Sequence, residues 1–337
     1  MPTSIPQVML DKSAGPIRRM LQYAFYDWTR EMPRSKRVIT WAGYLMQGYA
    51  VYAFMTRSLV WPVMWPKGIL LYASASVLYA LGAGLMNVML TSELVRKTEL
   101  EADQIAARQI QQTLIPGKLP ELPGYVVESF YKPLREVGGD YFDVIDLPGN
   151  RTLFAVADVS GKGVPAALLA ANIQALVRSI ASVEANPLTL ARQINKHLSR
   201  YTPSDRFATA VFIVLSRDSG ELTYVNAGHN APIVSGGGST ATLEATGMPL
   251  GLFPEAAYDA RTAPLWPGGA LLVFTDGLTD SISGENAENR LGDALADSSG
   301  STMSNLKSLV DSKFNDDDVT ILLVKRDANA ASSGQLA

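Results

Sequence analysis

Between Val38 and Ser92 the chain carries only two charges, Arg57 and Lys67. They separate two uncharged runs, Val38–Thr56 of 19 residues and Gly68–Ser92 of 25. At a helical rise of about 1.5 Å per residue, each run can cross a hydrocarbon layer roughly 30 Å thick. Trp41, Tyr44, Trp61 and Trp65 lie at or near the ends, where aromatic rings settle at a membrane–water boundary. The first run is too far from Met1 to be a signal peptide and lacks a small-residue cleavage pattern. Two buried helices of a soluble core are the alternative, but two runs this long, close together and uncharged argue against it. The residues therefore predict a two-helix transmembrane hairpin, 38–56 and 68–92.

Flanking charge orients the hairpin. Lys12, Arg18, Arg19, Arg30, Arg34, Lys36 and Arg37 precede the first run, whereas Arg57 and Lys67 alone lie between the two. Positive residues stay inside, so both termini are expected in the cytoplasm, on a multi-pass protein of the cell (inner) membrane. The stretch Arg57–Lys67, with Pro62 and Pro66, is too short for an external ligand-binding domain. Met20–Trp28, within the cytoplasmic segment 1–37, fits an amphipathic helix on the inner surface. Gln47 and Asn87, and the small pair Ala80 and Gly84, suit helix packing in lipid. Tolerated substitutions in a tilted helix account for them equally well.

Glu93–Ile115 contains no Gly or Pro and is expected to continue the second span as a helix. Leu100, Ala107 and Leu114 recur every seven residues, with Ile110 three after Ala107. That face serves a short parallel coiled coil in a homodimer, or packing on the chain's own soluble domain. Pro116-Gly117 ends the helix. A soluble domain over 116–326 follows, and the small, polar 327–337 is expected to be a disordered tail.

The composition excludes several chemistries. With no cysteine there are no disulfides, thiolate zinc sites or cysteine nucleophiles. Two histidines cannot build a histidine-rich metal centre. Any metal must be held by oxygen, which favours Mg²⁺ or Mn²⁺. A net charge of −3, with no basic stripe outside the N-terminal region, argues against a nucleic-acid partner.

From Gly124 onward short strand-like runs surround two helical stretches. Strands are predicted at 126–131, 142–147, 152–159, 208–215, 222–227, 232–234, 270–275 and 319–324, and helices at 164–183 and 187–201. Strands grouped around a helix pair predict an α+β sandwich rather than repeating βαβ units. Aspartates stand at strand ends. Asp140 follows Gly138-Gly139; Asp158 ends the apolar run Leu153–Ala157; Asp276 ends Leu271–Thr275; and Asp317 precedes Val319–Val324. Several acids held rigidly beside glycine or other acids suggest oxygen ligands for hard divalent cations. The chemistry this suits is two-metal hydrolysis, in which cations about 3.5–4 Å apart share a water and acidify it.

The segments Val137–Val144, Ala157–Ala171 (ADVSGKGVPAALLAA), Phe207–Ala210 (FATA), Asn226–Asn230 (NAGHN), Phe274–Asp280 (FTDGLTD) and Asp316–Thr320 (DDDVT) resemble the SpoIIE/RsbU branch of the PPM-type phosphatases, in that family's order. The resemblance covers about Gln104–Arg326. It implies a PPM-type α-β-β-α sandwich of two antiparallel sheets, and a metal-dependent serine/threonine protein phosphatase using two Mn²⁺ or Mg²⁺ ions. It implies Asp158 as bridging ligand and Asp276 as the other catalytic carboxylate. Val159 would lend its backbone carbonyl, Asp276 and Asp317 would complete the sites, and Asp140 would bind directly or through water. The implied substrate is a phosphoprotein, an anti-anti-sigma factor of the STAS type. After Asp280 the family's Phe-Gly pair before Arg-Leu is missing, which puts the substrate-facing edge in question. A catalytically silent membrane scaffold of the same fold, or a two-metal hydrolase of another phosphoester, are the rival readings.

Other signals carry less. Lys162 after Gly161 is not a P-loop, because Val156 and Gly163 stand where Gly and Ser/Thr are needed. It caps a turn or meets substrate phosphate. Ser160 lacks a nucleophile elbow and reads as a turn residue. His229 reads as a loop stabiliser, with a catalytic-acid role as the alternative. Asp143, Asp146, Asp280 and Asp318 read as solvated or turn acids, with Asp143 or Asp318 open to a third metal. Ser235–Thr240 reads as a hairpin tip.

Overall fold

In the computed structural model the described residues are 34–58, 65–134, 137–203, 205–282, 287–296, 302–310 and 317–328. The amphipathic stretch expected at 20–28, the loop between the spans, and most of the tail lie outside them. The chain forms two compact units, Met1–Ala102 and Asp103–Ala337.

The first unit contains helix α1, Arg34–Ser58, and the start of the 50-residue helix α2, Trp65–Leu114. Both expected spans are therefore helical, and the segment 93–114 continues the second without a break. Among the described residues, Ser76–Thr98 and Val164–Ala181 are the helical stretches long and apolar enough to cross a membrane. The small-residue contact differs from the expected one. Gly84 faces open space and Ala80 is exposed, whereas a Cβ on Gly82 would lie 3.0 Å from the Gly43 carbonyl oxygen and 3.1 Å from the Gln47 side chain. Two helices touching through one glycine on each side use Gly43 and Gly82, positions that a fixed four-residue spacing does not single out.

The second unit is a sandwich of two antiparallel five-stranded sheets among the described residues. One sheet has the order β1 (Tyr125–Lys132), β10 (Val319–Arg326), β9 (Ala270–Phe274), β6 (Ile233–Gly236), β7 (Ser239–Thr242). The other runs β2 (Tyr141–Leu147), β3 (Arg151–Val159), β4 (Ala208–Ser216), β5 (Glu221–Ala227), β8 (Arg261–Pro264). Helices α3 (Val164–Ala181) and α4 (Pro187–Tyr201) cover the outer face of the second sheet; α5 (Asp276–Asp280), α6 (Ala287–Ala296) and α7 (Thr302–Leu309) cover that of the first.

This layering explains the near-continuous apolar strands. In β3, Leu153, Ala155 and Ala157 pack under α3 and α4, while Phe154 and Val156 enter the core between the sheets. In β10, Ile321 and Leu323 meet the short helices, while Leu322 and Val324 face inward. A strand covered on both faces loses the alternation of a half-exposed one. Asn186 caps α4 by accepting from the Leu188 N–H at 2.9 Å, with Pro187 at its first turn.

Two short strands, β7 and β8, were not expected. Both are largely exposed. The hairpin tip expected at 235–240 is the β6–β7 turn, where Gly236, Gly237 and Gly238 all have positive φ.

Candidate active site

Two sheet ends meet at one edge of the sandwich and bring the expected acids together. Thr275 follows β9 and Thr320 lies in β10, joined by Thr275 N–H to the Thr320 carbonyl at 3.1 Å and Thr320 N–H to the Thr275 hydroxyl at 2.9 Å. Both hydroxyls donate to Asp140 Oδ2, at 2.8 and 2.6 Å. Asp140, at the entry of β2, is thereby tied to strands of the opposite sheet.

Glycines permit these approaches. A Cβ on Gly139 would sit 3.0 Å from the Val159 carbonyl oxygen, so the loop before Asp140 rests on the end of β3. A Cβ on Gly277 would collide with the Asp318 carbonyl oxygen. Only glycine after Asp276 lets the β9–α5 turn lie against the start of β10, which sets Asp276 beside Asp317. On the other side, Gln111 in the last turn of α2 is buried. Its amide donates to the Gly138 carbonyl at 2.7 Å and accepts from the Gly138 N–H at 3.1 Å. The last turn of α2 is thus packed within the second unit, while Ile110 is exposed.

The acids repel one another. Asp158 is pushed up to about 7, by burial first and then by Asp276, Asp317 and Asp318, while Lys162 pulls it back. Asp140 is held well above the ordinary carboxylate range by burial, then by Asp158 and Asp318, against the two threonine hydroxyls. Asp276 is raised by burial, Asp317 and Asp280. Lys162 Nζ stands 2.9 Å from Asp317 Oδ2. The expected residues Asp140, Asp158, Asp276 and Asp317 therefore form one electrostatic cluster.

Among the described residues, no three histidine, cysteine, aspartate or glutamate side chains are gathered tightly enough to chelate a single ion. The donor set nevertheless fits hard divalent cations: carboxylates raised by mutual repulsion, and a backbone carbonyl, Val159, where a Cβ would crowd the glycine loop.

Two acids read as solvated are not. Asp318 is buried and clamps the glycine loop, accepting from Leu134 N–H at 2.7 Å and Gly139 N–H at 2.6 Å. Burial raises its pKa, and the amide hydrogen bonds oppose that. Asp143 is fully buried and accepts from Arg178 Nε at 2.7 Å and Nη2 at 3.1 Å. Its sequence position between Phe142 and Val144 hid a partner 35 residues away. Asp146 pairs with Arg217 at 2.7 Å and Asp280 is exposed.

His229 is buried, with Nδ1 2.9 Å from the Thr209 hydroxyl. Burial lowers its pKa to about 4, and Asn226 ties its backbone on both sides. A neutral, buried imidazole fits the loop-stabilising role. Ser160 is a turn residue, its hydroxyl accepting from Phe207 N–H at 3.0 Å. Thr275, Thr320 and Gln111 were missed. The two threonines lie inside the FTDGLTD and DDDVT segments, beside acids whose ligand chemistry is the stronger local signal.

An α-β-β-α sandwich with acids at its strand ends is the architecture of PP2C-type phosphatase domains. The RsbU and RsbW domains of Rv1364c from Mycobacterium tuberculosis superpose with a TM-score of 0.55 at 28% identity, over 62% of this chain and 63% of that one. The SiaA-PP2C domain of Pseudomonas aeruginosa shares the fold, with a TM-score of 0.57 at 22% identity over 69% of this chain and 99% of that one. The family described as Stage II sporulation protein E (SpoIIE) matches residues 148–327, and the chain belongs to it. The phosphoserine phosphatase RsbU of Bacillus subtilis is 26% identical over 54% of this chain and 55% of its own length. Protein IcfG of Synechocystis is 29% identical over 56% of this chain and 34% of its own. The chain thus spans about half or less of these relatives. The family match includes Asp158, Val159, Asp276 and Asp317, and begins after Asp140.

Proposed function

We propose that the chain is a membrane-anchored, metal-dependent phosphoserine/phosphothreonine protein phosphatase acting in signalling. The observation that carries this reading is the cluster of repelling acids where the two sheet ends meet, within a chain of the SpoIIE family. Asp158, Asp276, Asp317 and the Val159 carbonyl would hold two Mn²⁺ or Mg²⁺ ions, with Asp140 contributing directly or through water. Asp158 and Asp276 are the catalytic pair. Such ions acidify water and offset charge on a phosphoryl group. The chain's own part is to keep the acids fixed: Thr275 and Thr320 aim Asp140, Asp318 holds the glycine loop, and Gly277 seats Asp276.

The substrate proposed is a phosphorylated anti-anti-sigma partner of the STAS type, a reading supported by the resemblance to RsbU. The anchor is the hairpin of α1 and α2, whose outward Leu45, Val77, Leu81, Leu85 and Val88 are exposed apolar side chains. The cytoplasmic face carries the phosphatase domain 116–326, and the exposed part of the linker helix would pair two copies.

Phosphate release from a phosphoserine STAS-type protein, measured with EDTA, Mg²⁺ and Mn²⁺, tests the activity. Metal-dependent release that Asp158→Ala abolishes in a folded protein is the expected result. No release from wild type under any metal would favour the silent scaffold.

A further inference from the structure

Lys162 stands at the tip of the turn from β3 to α3, between Gly161 at φ 92° and Gly163 at φ 78°. That turn is braced on three sides. Ser160 N–H donates to the Phe207 carbonyl at 2.9 Å, Phe207 N–H donates to the Ser160 hydroxyl at 3.0 Å, and Arg206 donates to the Ser160 carbonyl at 3.1 Å. A Cβ on Gly161 would collide with the Arg206 guanidinium. The lysine stem is therefore launched from a fixed base, and its ammonium reaches Asp317 Oδ2 at 2.9 Å. The two side chains are 40% and 35% exposed, so the pair sits at the mouth of the acidic cluster.

We propose that Lys162 is a resident counter-cation of this cluster, holding Asp317 when no divalent ion is bound and releasing it when one enters. The proposal rests on reading Asp317 as a metal ligand. Acids this close need positive charge nearby, and the lysine supplies it without filling the space of a cation. An ammonium on a flexible stem suits the role, because it can swing away, whereas a guanidinium would grip the carboxylate with two parallel bonds. Ion occupancy is then a contest between Lys162 and the metal for one carboxylate, and the lysine sets the concentration at which the metal wins.

Mn²⁺ titrated calorimetrically into the full chain in detergent tests this, with wild type, Lys162→Met and Lys162→Arg compared. Lys162→Met is expected to bind Mn²⁺ roughly two- to fivefold more tightly, the range set by a partly exposed ion pair, and Lys162→Arg more weakly than wild type. In EDTA, Lys162→Met should melt about 2 °C lower, since the cluster has lost its counter-charge. Unchanged or weaker Mn²⁺ binding by Lys162→Met, beside a wild type that binds, overturns the counter-cation role alone. A wild type that takes up no Mn²⁺ defeats the ligand assignment of Asp317 and this inference together.

Discussion

Asp143 and Asp158 lie on neighbouring strands of one sheet, and their surroundings are opposite. Asp143, in β2, is fully buried and answered by a guanidinium through two hydrogen bonds. Asp158, at the end of β3, faces Asp276, Asp317 and Asp318 and is raised to about 7. The first acid is compensated from within the fold. The second is left with repulsion that Lys162 relieves only in part, which is the signature of a site built to receive something positive. A carboxylate's position in a strand therefore says little about its task; what it faces decides.

Removing the answer to Asp143 should have the largest effect. Arg178→Ala leaves a fully buried carboxylate without its cation, with only the Val144 N–H at 2.9 Å and the Tyr141 hydroxyl at 3.3 Å as donors, at a cost of about 3 kcal/mol. Scanning calorimetry should show the catalytic unit melting roughly 10 °C lower. An unchanged melting temperature would mean that the pair contributes nothing to the stability of the fold.

Relieving Asp158 should act in the other direction. In EDTA, Asp158→Asn removes a repelled charge and is expected to raise the melting temperature while abolishing Mn²⁺ stabilisation. The pH dependence follows from the direction of the shift. A carboxyl titrating near 7 when folded, and near its ordinary 3.8 when unfolded, binds more protons in the native state between those values. Its stabilising contribution is complete below about 3.8 and is lost as pH rises through about 7. Wild type in EDTA should therefore lose stability from pH 5 to about 7.5, and Asp158→Asn should lose less. Equal slopes would remove Asp158 from the cluster.

Much of this was legible in the chain. The apolar runs Leu153–Ala157 and Leu271–Thr275 read as strands, each followed directly by an acid. Val164–Ala181 is as apolar as a membrane span by length and composition, yet its Ala and Leu on several faces marked it as a core helix, and it packs under β3. What stayed hidden depended on partners distant in sequence. Arg178 for Asp143, and Leu134 and Gly139 for Asp318, come from other elements, so no local pattern distinguishes these acids from solvated ones. The exposed strands Ser239–Thr242 and Arg261–Pro264 gave no hydrophobic alternation to read. Between α1 and α2, the Gly43–Gly82 contact depends on how the two helices are rotated, which a single-helix spacing rule cannot supply.

Asp140 stands between the two extremes, answered by two neutral hydroxyls rather than by a cation, and it yields the finest test. Thr320→Val keeps the shape of a buried β-branched residue and removes one hydroxyl from Asp140, at a cost of about 1 kcal/mol. Thr275→Val removes the other, but Thr275 Oγ1 also accepts the Thr320 N–H at 2.9 Å. That backbone donor would be orphaned in the core, so Thr275→Val should cost about 1 kcal/mol more than Thr320→Val. The Thr275 hydroxyl has Asp140 Oδ2 at 2.8 Å as its nearer acceptor, with the Asp318 carbonyl at 3.5 Å. Denaturant melts of both variants would resolve the difference. Equal costs would mean that the threonine pair acts through packing alone, and that Asp140 is held by the glycine loop and not by β9 and β10.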